Sequence, residues 1–202
     1  YARERILVAA PLYHMNALAL AKFASLAGAP VVLLPRFTAP TYIQAIADHQ
    51  CTWLTSVPTM LALVTQETEL LASTDLRSVT SVRMGSAPIT GKLLERVKGA
   101  FPGASVQLGY GTTEAGPVVF APHPTIKQAP ALAFGVAHPL VDLRLVDSEG
   151  NVSDAGVLEM RCPAVMPGYH ELPDKTAAVF TEDGYYRTGD VMRRDSDGFY
   201  YF

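Results

Sequence analysis

Thr80-Ser-Val-Arg-Met-Gly-Ser-Ala-Pro-Ile-Thr-Gly-Lys-Leu-Leu-Glu-Arg-Val-Lys-Gly-Ala-Phe-Pro-Gly-Ala-Ser-Val-Gln-Leu108 reads as strand, helix and strand in succession. Thr80 to Met84 and Ser105 to Leu108 have strand length. Between them Leu93, Leu94, Val97 and Phe101 recur on one helical face. Thr90 is placed to cap that helix, and the Phe101-Pro-Gly103 step ends it. The same rhythm extends towards the N-terminus. Val31 to Leu34 is apolar on both faces, which predicts a buried parallel strand. Tyr42, Ile43, Ile46 and Ala47 share a helical face, and a further helix is predicted around Met60 to Val64, entered through Pro58. Strands alternating with helices over residues 1 to about 120 predict an α/β layer built on a parallel sheet.

The texture changes after about residue 130. Val141, Leu143 and Leu145 alternate with Asp142 and Arg144, and turn signals follow at Glu149-Gly150, Asp183-Gly184 and Asp197-Gly198. This predicts a smaller, mostly antiparallel β subdomain. Pro122 to Pro130 reads as a surface loop at the junction, so the division is expected at 1–125 and 126–202.

Composition narrows the function classes. Of 202 residues 49% are hydrophobic and 17% charged, the balance of a globular protein with a real core. A formal net charge of -3 without a Lys/Arg run removes the electrostatic footprint of a nucleic-acid binder. The most apolar stretch, Ala17 to Leu34, is interrupted by Lys22, Gly28 and Pro30, so neither a membrane span nor a secretion leader is expected. Cys51 and Cys162 match no metal or disulfide spacing and read as two buried thiols in a reducing, cytoplasmic setting.

Leu108-Gly-Tyr-Gly-Thr-Thr-Glu-Ala-Gly-Pro117 is where chemistry concentrates, with an aromatic face, a hydroxyl and a carboxylate on one Gly-rich bend. Gly109 and Gly111 are expected to take positive φ and let the backbone approach a ligand closely. Thr113 offers a hydroxyl to a phosphate oxygen, and Glu114 offers a hard oxygen to Mg2+. A nucleotide site is the resulting expectation.

Further short motifs follow one another along the chain. Pro11-Leu-Tyr-His14, Val57-Pro-Thr59, Gly85-Ser-Ala-Pro88, Tyr110-Gly-Thr-Thr-Glu114, Tyr186-Arg-Thr-Gly-Asp190 and Asp197-Gly-Phe-Tyr-Tyr-Phe202 each read singly as ordinary turns, caps and strands. In this order and at these separations they closely resemble the adenylate-forming (AMP-binding) superfamily, specifically its acyl-CoA synthetase branch. The resemblance runs nearly end to end.

What it implies is carried residue by residue. Tyr110 would stack on adenine, and the loop of Gly85, Ser86, Ala87 and Pro88 would line the other side of the base. Gly111, Thr112 and Thr113 would sit on the nucleotide, Thr113 at the α-phosphate. Glu114 would hold Mg2+, and Asp190 would accept from the ribose hydroxyls. His14 would stand beside the carboxylate channel, Gly109 would leave room in the pocket wall for an acyl tail, and Val136 opens a Val-Ala-His-Pro turn expected near the same pocket. The implied reaction joins a carboxylic acid to coenzyme A by way of an acyl-adenylate made from ATP, with AMP released.

Departures are visible too. Ala137 stands for a family glycine, and the family's Gly-rich phosphate loop, its hinge and its small C-terminal domain with a catalytic lysine do not occur in these 202 residues. The resemblance therefore implies an internal piece of a longer enzyme that is inactive alone. Two other readings stay open: an amino-acid-adenylating domain that loads a carrier protein, and a non-catalytic nucleotide-binding module. The first usually carries Phe-Asp where this chain has Tyr13-His14, which lacks a carboxylate for a substrate ammonium.

Overall fold

Short aliphatic runs pair into the first sheet of the computed structural model, which describes residues 3–202. Contacts divide the chain into two compact units, up to Gly109 and from Tyr110 onward. The division expected from sequence lay near residue 125. The observed boundary is earlier because Tyr110, Ala115 and Val119 are buried in the β-rich half, so the Gly-rich bend belongs to its core.

The first unit runs β1 (Ile6–Val8), α1 (Met15–Ala27), β2 (Val31–Leu33), α2 (Ala39–His49), β3 (Trp53–Ser56), α3 (Pro58–Val64), α4 (Thr68–Ser73), β4 (Ser81–Gly85), α5 (Gly91–Ala100) and β5 (Ser105–Gly109). Its sheet is entirely parallel in the order β2-β1-β3-β4-β5. Strand alternation divides the side chains between two layers. Ile6 and Val8 pack with Ala17, Leu20 and Ala24 of α1, while Leu7, Leu54, Val82 and Met84 are fully or almost fully buried on the alternate positions. Thr38 and Thr41 form a reciprocal capping box on α2, and the Thr90 hydroxyl accepts from the Leu93 amide on α5, as its position predicted. Such caps contribute about 1 kcal/mol each.

One strand differs from expectation. β2 is not a buried interior strand: it is the sheet edge, and Val31 and Leu33 are exposed. Two apolar faces do not say how many neighbours a strand has, and β2 pairs with β1 alone.

The second unit contains β6 (Phe120–Ala121), β7 (Val136–Ala137), β8 (Asp142–Val146), β9 (Val152–Ser153), β10 (Ala155–Arg161), α6 (Pro173–Val179), β11 (Tyr186–Arg194) and β12 (Tyr200–Tyr201). β6 and β7 form an antiparallel pair, and the remaining strands form an antiparallel sheet in the order β12-β11-β10-β8-β9. Gly150, Gly184 and Gly198 sit at φ near +85° in the predicted turns, and residues 124–131 form the expected exposed loop. Leu145, Leu158, Met160, Met192, Tyr186 and Tyr200 make the core. Glu159, on the opposite face of β10 from Leu158 and Met160, is also buried, held by Arg144 Nε at 2.7 Å and Arg187 Nε at 3.3 Å. Cys51 is buried, which pushes its thiol up to about 11, whereas Cys162 is only half-buried, so the reading of two buried thiols holds for one.

Candidate functional site

The motif residues of the first unit share one location in its topology. Pro11 to His14 follow β1, Val57 to Thr59 follow β3, Gly85 to Pro88 run on from β4, and the chain leaves β5 at Gly109. These are the carboxyl ends of parallel strands, where an open α/β sheet presents loops to ligands. The sheet order reverses beside β1, which pairs with β2 on one side and β3 on the other.

Local geometry keeps these loops open. His14 is exposed at the N-cap of α1 without a capping side-chain bond, its ring 4.5 Å from that of Tyr13. Two residues on, the Asn16 amide donates to the Ser86 hydroxyl at 3.5 Å and its carbonyl oxygen accepts from Thr55 at 2.8 Å. Asn16 thus ties the start of α1 to the Gly85 loop. Sequence reading passed over it because a single Asn inside an apolar helix carries no motif. Ser86 has φ of +69°, a conformation costly for a residue with a Cβ and of the kind found where a loop presents its backbone. Ser86, Ala87 and Pro88 are all exposed.

Neither Gly109 nor Gly111 adopts the positive φ expected of them. At Gly111 close approach of the backbone requires the glycine instead. A Cβ on Gly111 would lie 2.5 Å from the Gly116 carbonyl oxygen and 2.8 Å from the Pro117 Cα. On Gly109 it would meet the Arg83 guanidinium, with Nε at 2.6 Å. The room left by Gly109 is filled by a side chain from β4. Gly116 supplies the left-handed residue of the bend, at φ +85°.

In the second unit the bend is a tight turn. The Thr112 hydroxyl accepts from the Ala115 amide at 3.1 Å, and the Thr112 carbonyl accepts from the Gly116 amide at 2.9 Å. This closure leaves Thr113 exposed at the tip. Glu114 is half-buried, and its Oε1 accepts from the Tyr169 phenol at 3.0 Å. That bond, with burial, raises the Tyr169 pKa. Tyr169 was not singled out in the sequence, because it is 55 positions from Glu114 and neither residue's neighbours signal the pairing.

Asp190 is aimed by backbone irregularity. β10 and β11 pair Val157 with Val191 and Glu159 with Arg187, so Thr188, Gly189 and Asp190 bulge opposite Leu158 alone. Gly189 takes φ +79°, and the Thr188 hydroxyl is anchored on the Leu158 carbonyl at 2.8 Å. Bulges of this kind redirect a side chain out of strand alternation. Here the Asp190 carboxylate accepts from the Tyr110 phenol at 2.6 Å across 80 residues of sequence. Burial, and then the carboxylate, raises the Tyr110 pKa. The Tyr110 ring is itself 8% exposed, with the rings of Phe120, Phe134 and Phe202 within 6 Å. A planar ligand on Tyr110 would share that ring with these neighbours. Val136 lies on β7, where it packs against Ala133, Phe199 and Tyr201.

The donor set bears on a divalent ion. No group of three His, Cys, Asp or Glu converges among the described residues, so a metal here would draw most ligands from elsewhere. That suits Mg2+, which is held by one or two carboxylates together with phosphates and water. Glu114, with one phenol on Oε1, retains acceptor capacity for it.

The sequence places the chain among known proteins. Residues 1–170 match the family described as AMP-binding enzyme. The chain belongs to that family. Among curated proteins, a sulfoacetate–CoA ligase of Cupriavidus necator is 32% identical over 98% of this chain and 39% of its own length. A 4-coumarate–CoA ligase of Pinus taeda is 31% identical over 95% of this chain and 37% of its own length. Among solved structures, the ATP-bound RpMatB-BxBclM chimera B3 has a TM-score of 0.85 at 26% identity, covering 99% of this chain and 40% of that one. The parallel sheet followed by the antiparallel one is the fold of adenylate-forming enzymes. The chain spans about two fifths of the length of the curated relatives it matches. No helix among the described residues is long and apolar enough to cross a membrane.

Proposed function

We propose that this chain is the nucleotide- and acid-handling part of an AMP-forming acid–CoA ligase. The observation that carries the reading is the Tyr110–Asp190 hydrogen bond, which joins in one unit the two residues expected at base and ribose. Thr113, exposed on the same bend, donates to the α-phosphate, and Glu114 beside it carries the carboxylate for Mg2+. The ion, when bound, neutralises charge gathering on the phosphates. Asp190, turned by its bulge, accepts from ribose hydroxyls, and charge-assisted bonds of this kind contribute about 1.5 to 3 kcal/mol each. Gly111 and Thr112 hold the bend's shape, and the strained Gly85 to Pro88 loop offers an exposed backbone edge to a flat base.

The acid is bound by the first unit. His14, exposed at the head of α1, and Gly109, at the end of β5, belong to the acyl site. The carboxylate displaces pyrophosphate from ATP at the α-phosphorus, and the acyl group passes to the thiol of coenzyme A. Catalysis of this displacement rests on positioning and charge stabilisation. Two named CoA ligases among the relatives support the free thiol as acceptor. Tyr13-His14 offers no carboxylate to a substrate ammonium, which disfavours an amino acid.

The test is Glu114→Gln in the polypeptide that carries this segment, read as acid-dependent ATP–pyrophosphate exchange. The expected loss is about 100- to 1,000-fold. Exchange at the parental rate would overturn the role given to Glu114, and a parent without acid-dependent exchange would overturn the reading in favour of a non-catalytic nucleotide-binding module.

A further inference from the structure

Resting on Glu114 as the carboxylate that meets Mg2+, we infer that Tyr169 is a positioning residue for that carboxylate, holding one of its oxygens so that the other is presented to the ion. The observation behind this is a double grip. Tyr169 lies in the irregular segment between β10 and α6, and its phenol donates to Glu114 Oε1 at 3.0 Å. Three residues earlier in the same segment, the Met166 amide donates to the Glu114 backbone carbonyl at 2.6 Å. One short stretch therefore fixes both the main chain and the side chain of Glu114. The turn that carries Glu114 is closed independently, by the Thr112 hydroxyl and carbonyl.

The stretch is itself held. The Thr176 hydroxyl on α6 accepts from the Tyr169 amide at 2.9 Å and donates to the Leu172 carbonyl at 3.0 Å. A Cβ on Gly168 would lie 2.8 Å from the Thr176 methyl carbon, so the glycine lets Thr176 come this close. The chain of contacts runs from α6 through Tyr169 to Glu114. A second phenol, that of the buried Tyr186, also acts on Glu114.

A phenol withdraws a little basicity from the carboxylate it bonds, yet it also removes side-chain freedom that Glu114 would otherwise give up on meeting the ion. The second effect is the larger, since removing a hydrogen-bonding partner from a ligating carboxylate costs about 10- to 100-fold in metal affinity. An uncharged donor suits the task. A lysine or arginine in its place would orient Glu114 too, but its charge would repel the cation.

The test is the dissociation constant of Mn2+, an EPR-visible substitute for Mg2+, from the complex of ATP with the polypeptide that carries this segment. Tyr169→Phe, which keeps the ring, is expected to raise it about 10-fold, the low end of that range because Tyr186 still acts on Glu114 and the phosphates still hold the ion. ATP affinity in EDTA should stay parental. Thr176→Val should raise the constant in the same direction by less, and Thr176→Ser, which keeps the hydroxyl, should restore it. An unchanged constant in Tyr169→Phe overturns the inference and leaves the ligase reading standing. So does a matching loss of ATP affinity in EDTA, which would make Tyr169 a support of the fold alone. If Tyr169→Phe does not fold, the two Thr176 variants decide by the same measurement. A parent that binds ATP without retaining Mn2+ overturns the inference as well, and one without acid-dependent exchange sinks both readings together.

Discussion

In the first unit every motif residue sits at or past the carboxyl end of a parallel strand, whereas in the second Asp190 sits within a strand and is turned out by a bulge. The two sheets also hide their polar atoms differently. The first buries apolar layers on both faces and a few neutral hydroxyls such as Thr55 and Ser56. The second buries a charge, Glu159, between Arg144 and Arg187, and extends it outward through Asp183, Tyr185, Asp142 and Arg161. A helix-covered parallel sheet leaves only its loops for ligands, so its site is built from turns. An antiparallel sheet with a wet face can carry functional groups on the strands themselves, provided paired charges or bulges position them.

Removing Glu159 attacks this difference most directly. Its side chain is 6% exposed, against 24% for Arg144 and 50% for Arg187. Glu159→Ala leaves Arg187 without this partner, while Arg144 keeps Asp183 at 2.6 Å. The expected loss is about 3 kcal/mol, near the low end for a broken buried pair, because one arginine retains an anion. Chemical denaturation reads the total, and amide exchange should place the loosening in β8, β10 and β11. A loss under 1 kcal/mol would mean that water enters the pair freely and that the second sheet does not depend on buried charge.

The matching cut in the first unit is milder. Tyr42 is fully buried, and its phenol shares a 2.8 Å hydrogen bond with the buried Ser56 hydroxyl at the end of β3. Burial raises the phenol's pKa, so it stays neutral. Tyr42→Phe keeps the ring, which packs edge-on with Phe37, and strands one hydroxyl. The cost is about 1 to 2 kcal/mol, below that of Glu159→Ala because a neutral group loses less on desolvation. Equal losses in the two variants would erase the contrast between the units.

These contrasts also explain what could be read in advance. α2, α3, α5, β4 and β5 follow from apolar spacing and from end signals such as Thr90 and Pro58, which act within a few residues. The exposure of β2 depends on which strand lies beside it, a long-range fact absent from Val31 to Leu33 themselves. The motif residues were legible as a set, yet their reasons were not. Gly111 is small because of the Gly116 and Pro117 backbone, not because of φ, and Gly109 faces the Arg83 side chain; only folding brings those atoms together. The Thr188-Gly189-Asp190 bulge had a signal, glycine inside a strand pattern, that marks an irregularity without saying where the next side chain points. Asn16, Arg83 and Tyr169 stand alone between motifs, and their meaning comes from partners 39 to 70 residues away, a neighbouring strand and Glu114.

Acid should separate the units with the smallest effect. In the second unit the hydrogen bond from Arg144 lowers Asp183 to about 2, that from Tyr185 lowers Asp142, and that from Tyr201 lowers Asp195. A carboxyl depressed on folding adds stability above its unfolded value, about 3.9, and loses it as pH falls through the folded value. The window for Asp183 therefore runs from about pH 4 down to about 2. The first unit also holds a depressed carboxyl, Asp75, bonded to Arg77. That pair spans two residues and forms in an unfolded chain nearly as well, so it transfers little to folding stability. Amide exchange at pH 4 and pH 2.5 should then show protection falling first in β8, β10 and β11 and later in β1, β3 and β4. All these carboxylates are solvent-accessible, and added salt should shrink the difference. Loss of protection in the first unit ahead of the second would place the acid-labile contacts outside the Arg144 network.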